Sequence, residues 1–451
     1  MKKLAMLIAA VIMVTVIMPL KSYAVTFTPG FKVESEAAYL VNLDKDIVVY
    51  EKNSLKKMYP ASLTKIMTAI IVLDNVKDLD NTYFEAPLVV FDDLYGQGAS
   101  AVGYSRGEVA SVTDLMYSMM MYSACESAGI LAYHVGGESI PNFIDMMNQK
   151  AQELGCTGTN FTNPHGLYDD DQYTNARDMA IITQYAIDNY PKFMEFACTT
   201  EYTMKATNYQ QEGWATIYHT NKMLSSSSEY YYQYARGIKT GTLDESGRNL
   251  ITSARKDGNN YLLVTLGGPM YDDEGNAVFD HFIDHKNIYE WAFNTFEFKT
   301  VLSSTQEITE VPVKYGEEKD YVILVPSGEY ATLWPNTLDV STLKADILTE
   351  GFLDENGQIM APVKKGQKLG TYSLSLSGEV LCTVDLVANQ DITLSETQYN
   401  LDKAKAFLGS FWFKLAIGIA IVLIILYIVI YIKINSKKKR RMKRVRNKRK
   451  F

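Results

Sequence analysis

The stretch "YPASLTKIMTAI" (residues 59–70) places a serine, Ser62, three residues before a lysine, Lys65. Apolar residues follow at helical spacing, at Ile66 and Ile70. Positions i and i+3 lie on one face of a helix, so the Ser62 hydroxyl and the Lys65 amine are expected within hydrogen-bonding distance. The free N–H groups at a helix start would also stabilise an oxyanion. By itself the stretch fits either a nucleophilic serine or, as is more common, a helix cap followed by a solvated lysine, and the rest of the chain must decide between them.

The first 24 residues have the pattern of a secretory signal. A charged start, Met1-Lys2-Lys3, precedes an apolar run, and the segment ends Ser22-Tyr23-Ala24 with small residues at positions −3 and −1. The pattern predicts a signal peptide over residues 1–24, cut after Ala24. The alternative is a retained membrane anchor.

The other end of the chain predicts a membrane span. Residues 415–432, "LAIGIAIVLIILYIVIYI", are 18 uncharged residues, which span about 27 Å as a helix. Three aromatic residues precede them, so the predicted transmembrane helix covers 411–432. Of the 19 residues from 433 to 451, 12 are Lys or Arg. A nucleic-acid arm has this composition too, but next to an apolar span it indicates a cytoplasmic flank, with the catalytic part outside the cell membrane.

The charge of the part between these ends argues against a nucleic-acid partner. The two ends hold 16 of the 44 basic residues, which leaves 28 basic against all 52 acidic residues and a net charge of about −24. Four cysteines in so long a chain do not indicate a disulfide framework, and most are expected to be buried. His281 and His285, at i and i+4, have the spacing of zinc ligands but lack a third ligand, so we expect a helix surface and no metal.

Hydrophobic patterning predicts an α+β chain. A hairpin is expected over 36–50, helices from 62 to about 188, returning strands between 235 and 267, and a further helix near 279–296. Such an order predicts one sheet built from both ends of a domain, residues 25–297, with helices on it. Short alternating segments predict a small all-β domain at 298–392, followed by a polar stalk at 393–410.

Two further segments complete a set of motifs with Ser62 and Lys65. "YSACESAG" holds Ser123, and "GIKTGTLDESG" holds Lys239-Thr240-Gly241. In this order the motifs Ser-x-x-Lys, Ser-x-x and Lys-Thr-Gly resemble those of the penicillin-recognising serine acyltransferases. The chain is most similar to the low-molecular-mass penicillin-binding proteins, the serine-type D-alanyl-D-alanine carboxypeptidases.

The resemblance extends over nearly the whole exposed chain. It includes "YLVNLDKDIVVYEKN", "ELGCTGTNFTNPHGLYDDDQYTNARDMA", "HTNKML" and, in the β-domain, "APVKKGQKLGTYSLSLSGE". It implies the family's fold, an antiparallel sheet with flanking helices followed by a small β-domain. The implied roles are nucleophile for Ser62, general base for Lys65, proton relay for Ser123, and substrate binding for Lys239, Thr240, Gly241 and Thr242.

The implied reaction removes the terminal D-alanine from peptidoglycan stem pentapeptides through an acyl-serine intermediate, without metal or cofactor. β-Lactams would act as covalent inhibitors. A transpeptidase differs only in the acceptor, a β-lactamase is the other enzyme on this fold, and a penicillin-binding scaffold with little turnover is the non-enzyme alternative.

One position departs from the family's pattern. The second motif usually reads Ser-Gly-Asn or Ser-Ala-Asn, and here it is Ser123-Ala124-Cys125. Asparagine offers two N–H donors and a carbonyl acceptor, whereas a thiol is a weak donor and a weak acceptor. Cys125 is therefore either a reactive thiol in the cleft or a buried spacer.

Overall fold

The structure, a computed structural model, describes residues 27–447. The predicted signal peptide lies outside the described residues. Two compact units divide the chain. The first runs to Val301 and includes Ala331–Thr342; the second holds Leu302–Tyr330 and the residues from Leu343 onward.

The first nine strands of the chain lie in the first unit. They are β1 (Ala37–Asn42), β2 (Ile47–Lys52), β3 (Tyr83–Glu85), β4 (Val109–Ser111), β5 (Glu201–Thr203), β6 (Thr216–Tyr218), β7 (Ala235–Leu243), β8 (Gly247–Lys256) and β9 (Asn259–Gly268). Five of them form an antiparallel sheet in the order β2-β1-β9-β8-β7, whereas β3-β4 and β5-β6 are separate two-stranded sheets. The first hairpin thus pairs with strands from about 220 residues later, so the prediction of one sheet assembled from both ends is confirmed.

Helices cover both faces of this sheet. They are α1 (Lys65–Asn75), α2 (Leu88–Leu94), α3 (Val112–Met121), α4 (Cys125–Val135), α5 (Ile140–Glu153), α6 (Ala176–Asn189), α7 (Pro191–Cys198) and α8 (Asp280–Thr295). On one face, Ile251 and Val264 of the sheet pack with the apolar residues of α1 and α3. On the other, Leu250 and Leu263 pack against α8. Because both faces are covered, β9 buries six consecutive residues, from Tyr261 to Leu266, five of them apolar.

The expectation of a helix around His281 and His285 is confirmed, but their predicted place on its surface is wrong. His281 is 3% exposed and His285 is fully buried. The two ring nitrogens of His285 lie 2.8 Å from Thr252 Oγ1 and 2.9 Å from Thr265 Oγ1, on the sheet. The periodicity of apolar residues did not predict this burial, because it assigns polar side chains to the surface. Here the buried histidine finds its hydrogen-bond partners on β8 and β9, far away in the sequence.

The strands after β9 are β10 (Phe296–Leu302), β11 (Thr309–Lys314), β12 (Tyr321–Pro326), β13 (Tyr330–Pro335), β14 (Lys344–Leu348), β15 (Ile359–Met360), β16 (Lys368–Leu376) and β17 (Glu379–Ala388). The second unit carries a six-stranded sheet in the order β14-β16-β17-β12-β11-β15. Strands β10 and β13 pair with each other, and most of their residues belong to the first unit. Two helices follow, α9 (Glu396–Gly409) and α10 (Phe411–Asn447). Among the described residues, α10 alone is long and apolar enough to cross a membrane, which fits a membrane anchor.

Candidate active site

The serine of the first motif sits in a tight turn ahead of α1. Residues Ala61–Thr64 form a single 3-10 turn that runs directly into the helix. Ala61 has a φ of +50°, in the left-handed region that residues with a Cβ rarely adopt. Asn249 on β8 holds the turn by donating from Nδ2 to the carbonyls of Tyr59 and Pro60. The sheet thus fixes a strained turn, as is common at catalytic sites.

Lys65 lies beneath this turn and is fully buried. Its Nζ is 2.9 Å from Ser62 Oγ and 2.5 Å from the backbone oxygen of His165. Burial lowers the pKa of the Lys65 ammonium, because a charged amine loses its hydration in the protein interior. A lowered pKa raises the share of the neutral amine, the form that can accept a proton from a serine.

The second motif stands beside Lys65. Ser123 is 6% exposed and has a φ of +68°; within residues 27–447 its hydroxyl has no hydrogen-bond partner. Cys125, the first residue of α4, is 2% exposed, and its Sγ lies 3.5 Å from Lys65 Nζ. The cysteine is therefore a buried neighbour of the lysine. Ser123 combines a strained backbone with a buried hydroxyl that has no partner among the described residues.

The third motif lies on β7, the edge strand of the sheet. Lys239 is fully buried, and burial together with the nearby Lys65 charge holds its pKa well below the usual range. Thr240 Oγ1 lies 2.6 Å from Thr220 Oγ1, and Thr242 is exposed. The motif therefore combines a buried amine with hydroxyls at an open strand edge, which an extended peptide can approach.

Two glycines allow the backbone segments of the site to meet. A Cβ on Gly241 would lie 3.2 Å from Ser62 N and from Pro60 O, so β7 passes directly against the serine turn. A Cβ on Gly166 would lie 1.9 Å from Ala61 O, and its φ of +86° also favours glycine. The sequence motifs thus converge on one location from three distant parts of the chain.

Two protein-family models match the chain. The family model described as D-alanyl-D-alanine carboxypeptidase matches residues 23–270, more than half of the chain. The chain belongs to the D-alanyl-D-alanine carboxypeptidase family. A second model, the C-terminal domain of penicillin-binding protein 5, matches residues 296–394. The predicted family and fold class are therefore confirmed.

Individual relatives cover most of the chain. D-alanyl-D-alanine carboxypeptidase DacF of Bacillus subtilis is 29% identical over 80% of this chain and 86% of its own. The carboxypeptidase DacA of Haemophilus influenzae is 28% identical over the same shares. Among solved structures, penicillin binding protein 5 from Haemophilus influenzae is similar with a TM-score of 0.56 and 26% identity, over 81% of this chain and 99% of that one.

The sequence motifs do not identify two groups at the site of this carboxypeptidase, Asn249 and the backbone oxygen of His165. Asn249 carries the serine turn, and only its register on β8 reveals this. The backbone oxygen of His165 contacts Lys65, and nothing in the sequence indicates this contact. Every residue has a backbone carbonyl, and its contacts depend on the path of the chain, so the residue type does not predict them.

Proposed function

We propose that the chain hydrolyses the terminal D-Ala-D-Ala bond of peptidoglycan stem pentapeptides through an acyl-Ser62 intermediate. The observation that carries the proposal is the contact of 2.9 Å between Ser62 Oγ and the buried amine of Lys65. The relatives are named as D-alanyl-D-alanine carboxypeptidases, and this activity supplies the substrate class.

Acylation begins with proton transfer from Ser62 to neutral Lys65. Serine is a weak nucleophile until an adjacent base accepts its proton. Oγ then attacks the carbonyl carbon of the penultimate D-alanine. The backbone N–H groups of Ser62 and Thr242 would bind the resulting oxyanion, at about 2.7–4 kcal/mol for each donor. The close approach of β7 to the serine turn supports this pairing of donors.

Breakdown of the tetrahedral intermediate needs a proton on the departing nitrogen. Ser123 would relay it from Lys65 to the D-alanine amine, and its unengaged hydroxyl suits that role. Lys239 and Thr240 would hold the terminal carboxylate. The depressed pKa of Lys239 fits, because an arriving carboxylate supplies the counter-charge that favours the protonated amine. Water then hydrolyses the ester, with Lys65 as the base.

The same site would react with β-lactams, whose strained amide takes the place of the peptide bond. Attack by Ser62 Oγ breaks the C–N bond of the β-lactam ring, but the freed amine stays tethered to the acyl group, so the β-lactam remains on Ser62 as an inhibitory acyl-enzyme. Relatives named as carboxypeptidases do not favour the β-lactamase alternative.

We further propose that the enzyme acts outside the cell membrane. In this arrangement residues 1–24 direct export, 25–297 form the catalytic domain and 298–392 the β-domain. Residues 393–410 then lead to a span at 411–432, with the basic residues 433–451 in the cytoplasm. The length and composition of α10 support the span.

The test combines labelled penicillin with D-alanine release from diacetyl-Lys-D-Ala-D-Ala. We expect wild-type protein to be labelled at Ser62 and to release D-alanine, and Ser62→Ala to lose both activities. Labelling that survives in Ser62→Ala would contradict the assignment of the nucleophile. Labelling without D-alanine release would indicate a scaffold, and rapid hydrolysis of the penicillin a β-lactamase.

A further inference from the structure

Lys65 has three neighbours that can orient its amine. They are Ser62 Oγ at 2.9 Å, the backbone oxygen of His165 at 2.5 Å and Cys125 Sγ at 3.5 Å. A neutral amine has two N–H donors and one lone pair. When the lone pair faces Ser62 Oγ to accept its proton, the two N–H groups point away from Ser62 and can donate to the other two neighbours.

Those two neighbours are unequal acceptors. A thiol sulfur accepts hydrogen bonds weakly, whereas a backbone carbonyl accepts them well. The His165 carbonyl is therefore the group that fixes the orientation of the amine. Asparagine at position 125 would offer an amide oxygen for the same purpose, and this chain lacks it. The position of the His165 carbonyl consequently matters more here than in a relative with asparagine.

The ring of His165 is held at both nitrogens. Its Nδ1 accepts the Leu167 N–H at 3.3 Å, so in the neutral ring Nε2 carries the proton. Nε2 then donates to Asp93 Oδ2 at 3.1 Å. Burial lowers the pKa of His165 and the Lys65 charge adds to this effect, whereas the contact with Asp93 opposes it; the net lowering favours the neutral ring. One tautomer therefore satisfies every contact of the ring.

We propose that Asp93 is a positioning residue for acylation, which holds the His165 ring and thereby the carbonyl that orients Lys65. This inference rests on the proposed function. Asp93 lies near the end of α2, and its side chain is 51% exposed. It acts through His165 because its contact is with the ring, not with Ser62 or Lys65. His165 alone thus links Asp93 to Lys65, because its ring contacts Asp93 and its backbone carbonyl contacts Lys65.

A purely structural role makes a different prediction. If Asp93 only fastens α2 to the loop, its removal lowers stability, and the identity of residue 125 is irrelevant to the loss. If Asp93 acts by orienting Lys65, a second good acceptor at position 125 relieves the loss. Cys125→Asn supplies that acceptor.

The experiment measures the second-order rate constant of acylation by labelled penicillin. Asp93→Ala removes the acceptor, and we expect the rate to fall about tenfold, the equivalent of one hydrogen bond. Asp93→Asn, whose amide oxygen can still accept from Nε2, should stay within about threefold of wild type. The matched control is Asp92→Ala, an exposed residue of the same helix, which should acylate at the wild-type rate.

The decisive arm places Asp93→Ala in a Cys125→Asn background. We expect the loss to shrink to about twofold or less, since the asparagine replaces the missing restraint. An equal loss in both backgrounds, an unchanged rate in Asp93→Ala, or an equal loss in Asp92→Ala would each overturn the proposal. The proposed function stands or falls separately, on whether wild-type protein is labelled at Ser62 and releases D-alanine.

Discussion

Two buried lysines share this site, and their different contacts support the different roles proposed for them. Lys65 touches the Ser62 hydroxyl, whereas Lys239 donates to the Thr240 carbonyl at 3.1 Å. Burial lowers both pKa values, and the charge of Lys65 lowers that of Lys239 further. Two ammonium groups so close together oppose each other, so the free enzyme favours a state in which at least one amine is neutral.

We expect acylation to follow the protonation of Lys65. Because its pKa lies below the ordinary value of 10.5, the rate should rise with pH through a midpoint below 10.5 as the neutral base forms. Lys65→Arg removes a group able to lose its proton, so the rate should fall about 10²- to 10⁴-fold. The measurement is the acylation rate of each protein across the pH range.

Lys239→Arg is the comparison for this prediction. It keeps a cation but replaces a compact ammonium with a planar fork, so carboxylate positioning should suffer while the base remains. The loss should therefore be smaller than for Lys65→Arg. Equal, mild losses in the two variants would mean that Lys65 is not the base.

At the level of elements, the site depends on how closely β7 passes the serine turn. The added Cβ at Gly241 would meet Ser62 N, Pro60 O and Ala61 Cβ, all at 3.2 Å. Each of these atoms belongs to a turn that Asn249 ties to the neighbouring strand. The turn therefore has little freedom to retreat from a larger residue.

Gly241→Ala should consequently impair acylation more than folding. We expect the strand and the turn to separate by a few tenths of an ångström, which displaces the proposed oxyanion donors of Ser62 and Thr242. A loss of about 10²-fold in acylation would match one weakened donor. Gly328→Ala, at a position with open space and an ordinary φ, is the control. A Gly241→Ala protein with wild-type acylation would show that this contact is not needed.

At the scale of the whole molecule, the proposed catalytic residues and the apolar helix occupy separate compact units. Ser62, Lys65, Ser123 and Lys239 all belong to the first unit, and α10 belongs to the second. The core of the first unit is built from its own sheet and helices. Catalysis should therefore not require the membrane helix.

Removal of the residues from Phe411 onward tests this. We expect a secreted, soluble protein that releases D-alanine at a rate within about twofold of the full chain, because no residue of the site is lost. Fractionation and the peptide assay provide the measurement. Truncated protein that stays with the membrane after signal cleavage would contradict a single C-terminal anchor.

The sequence by itself determined the family, the α+β class and the identity of the motif residues. These features are local: spacing along a helix, alternation along strands, and short motifs in a fixed order. The i, i+3 spacing of Ser62 and Lys65 carries the catalytic hypothesis because one turn of helix suffices to bring the two side chains together. The residue roles themselves stay predictions until the variants are measured.

Tertiary structure alone decided which groups hold the motif residues in place. Asn249 of the sheet supports the serine turn, and Asp93 of α2 contacts the His165 ring. His285 is buried between two threonines of the sheet. These contacts join residues that lie 20 to 190 positions apart in the chain. No local pattern specifies such pairs, because their distances follow from the packing of the sheet and helices.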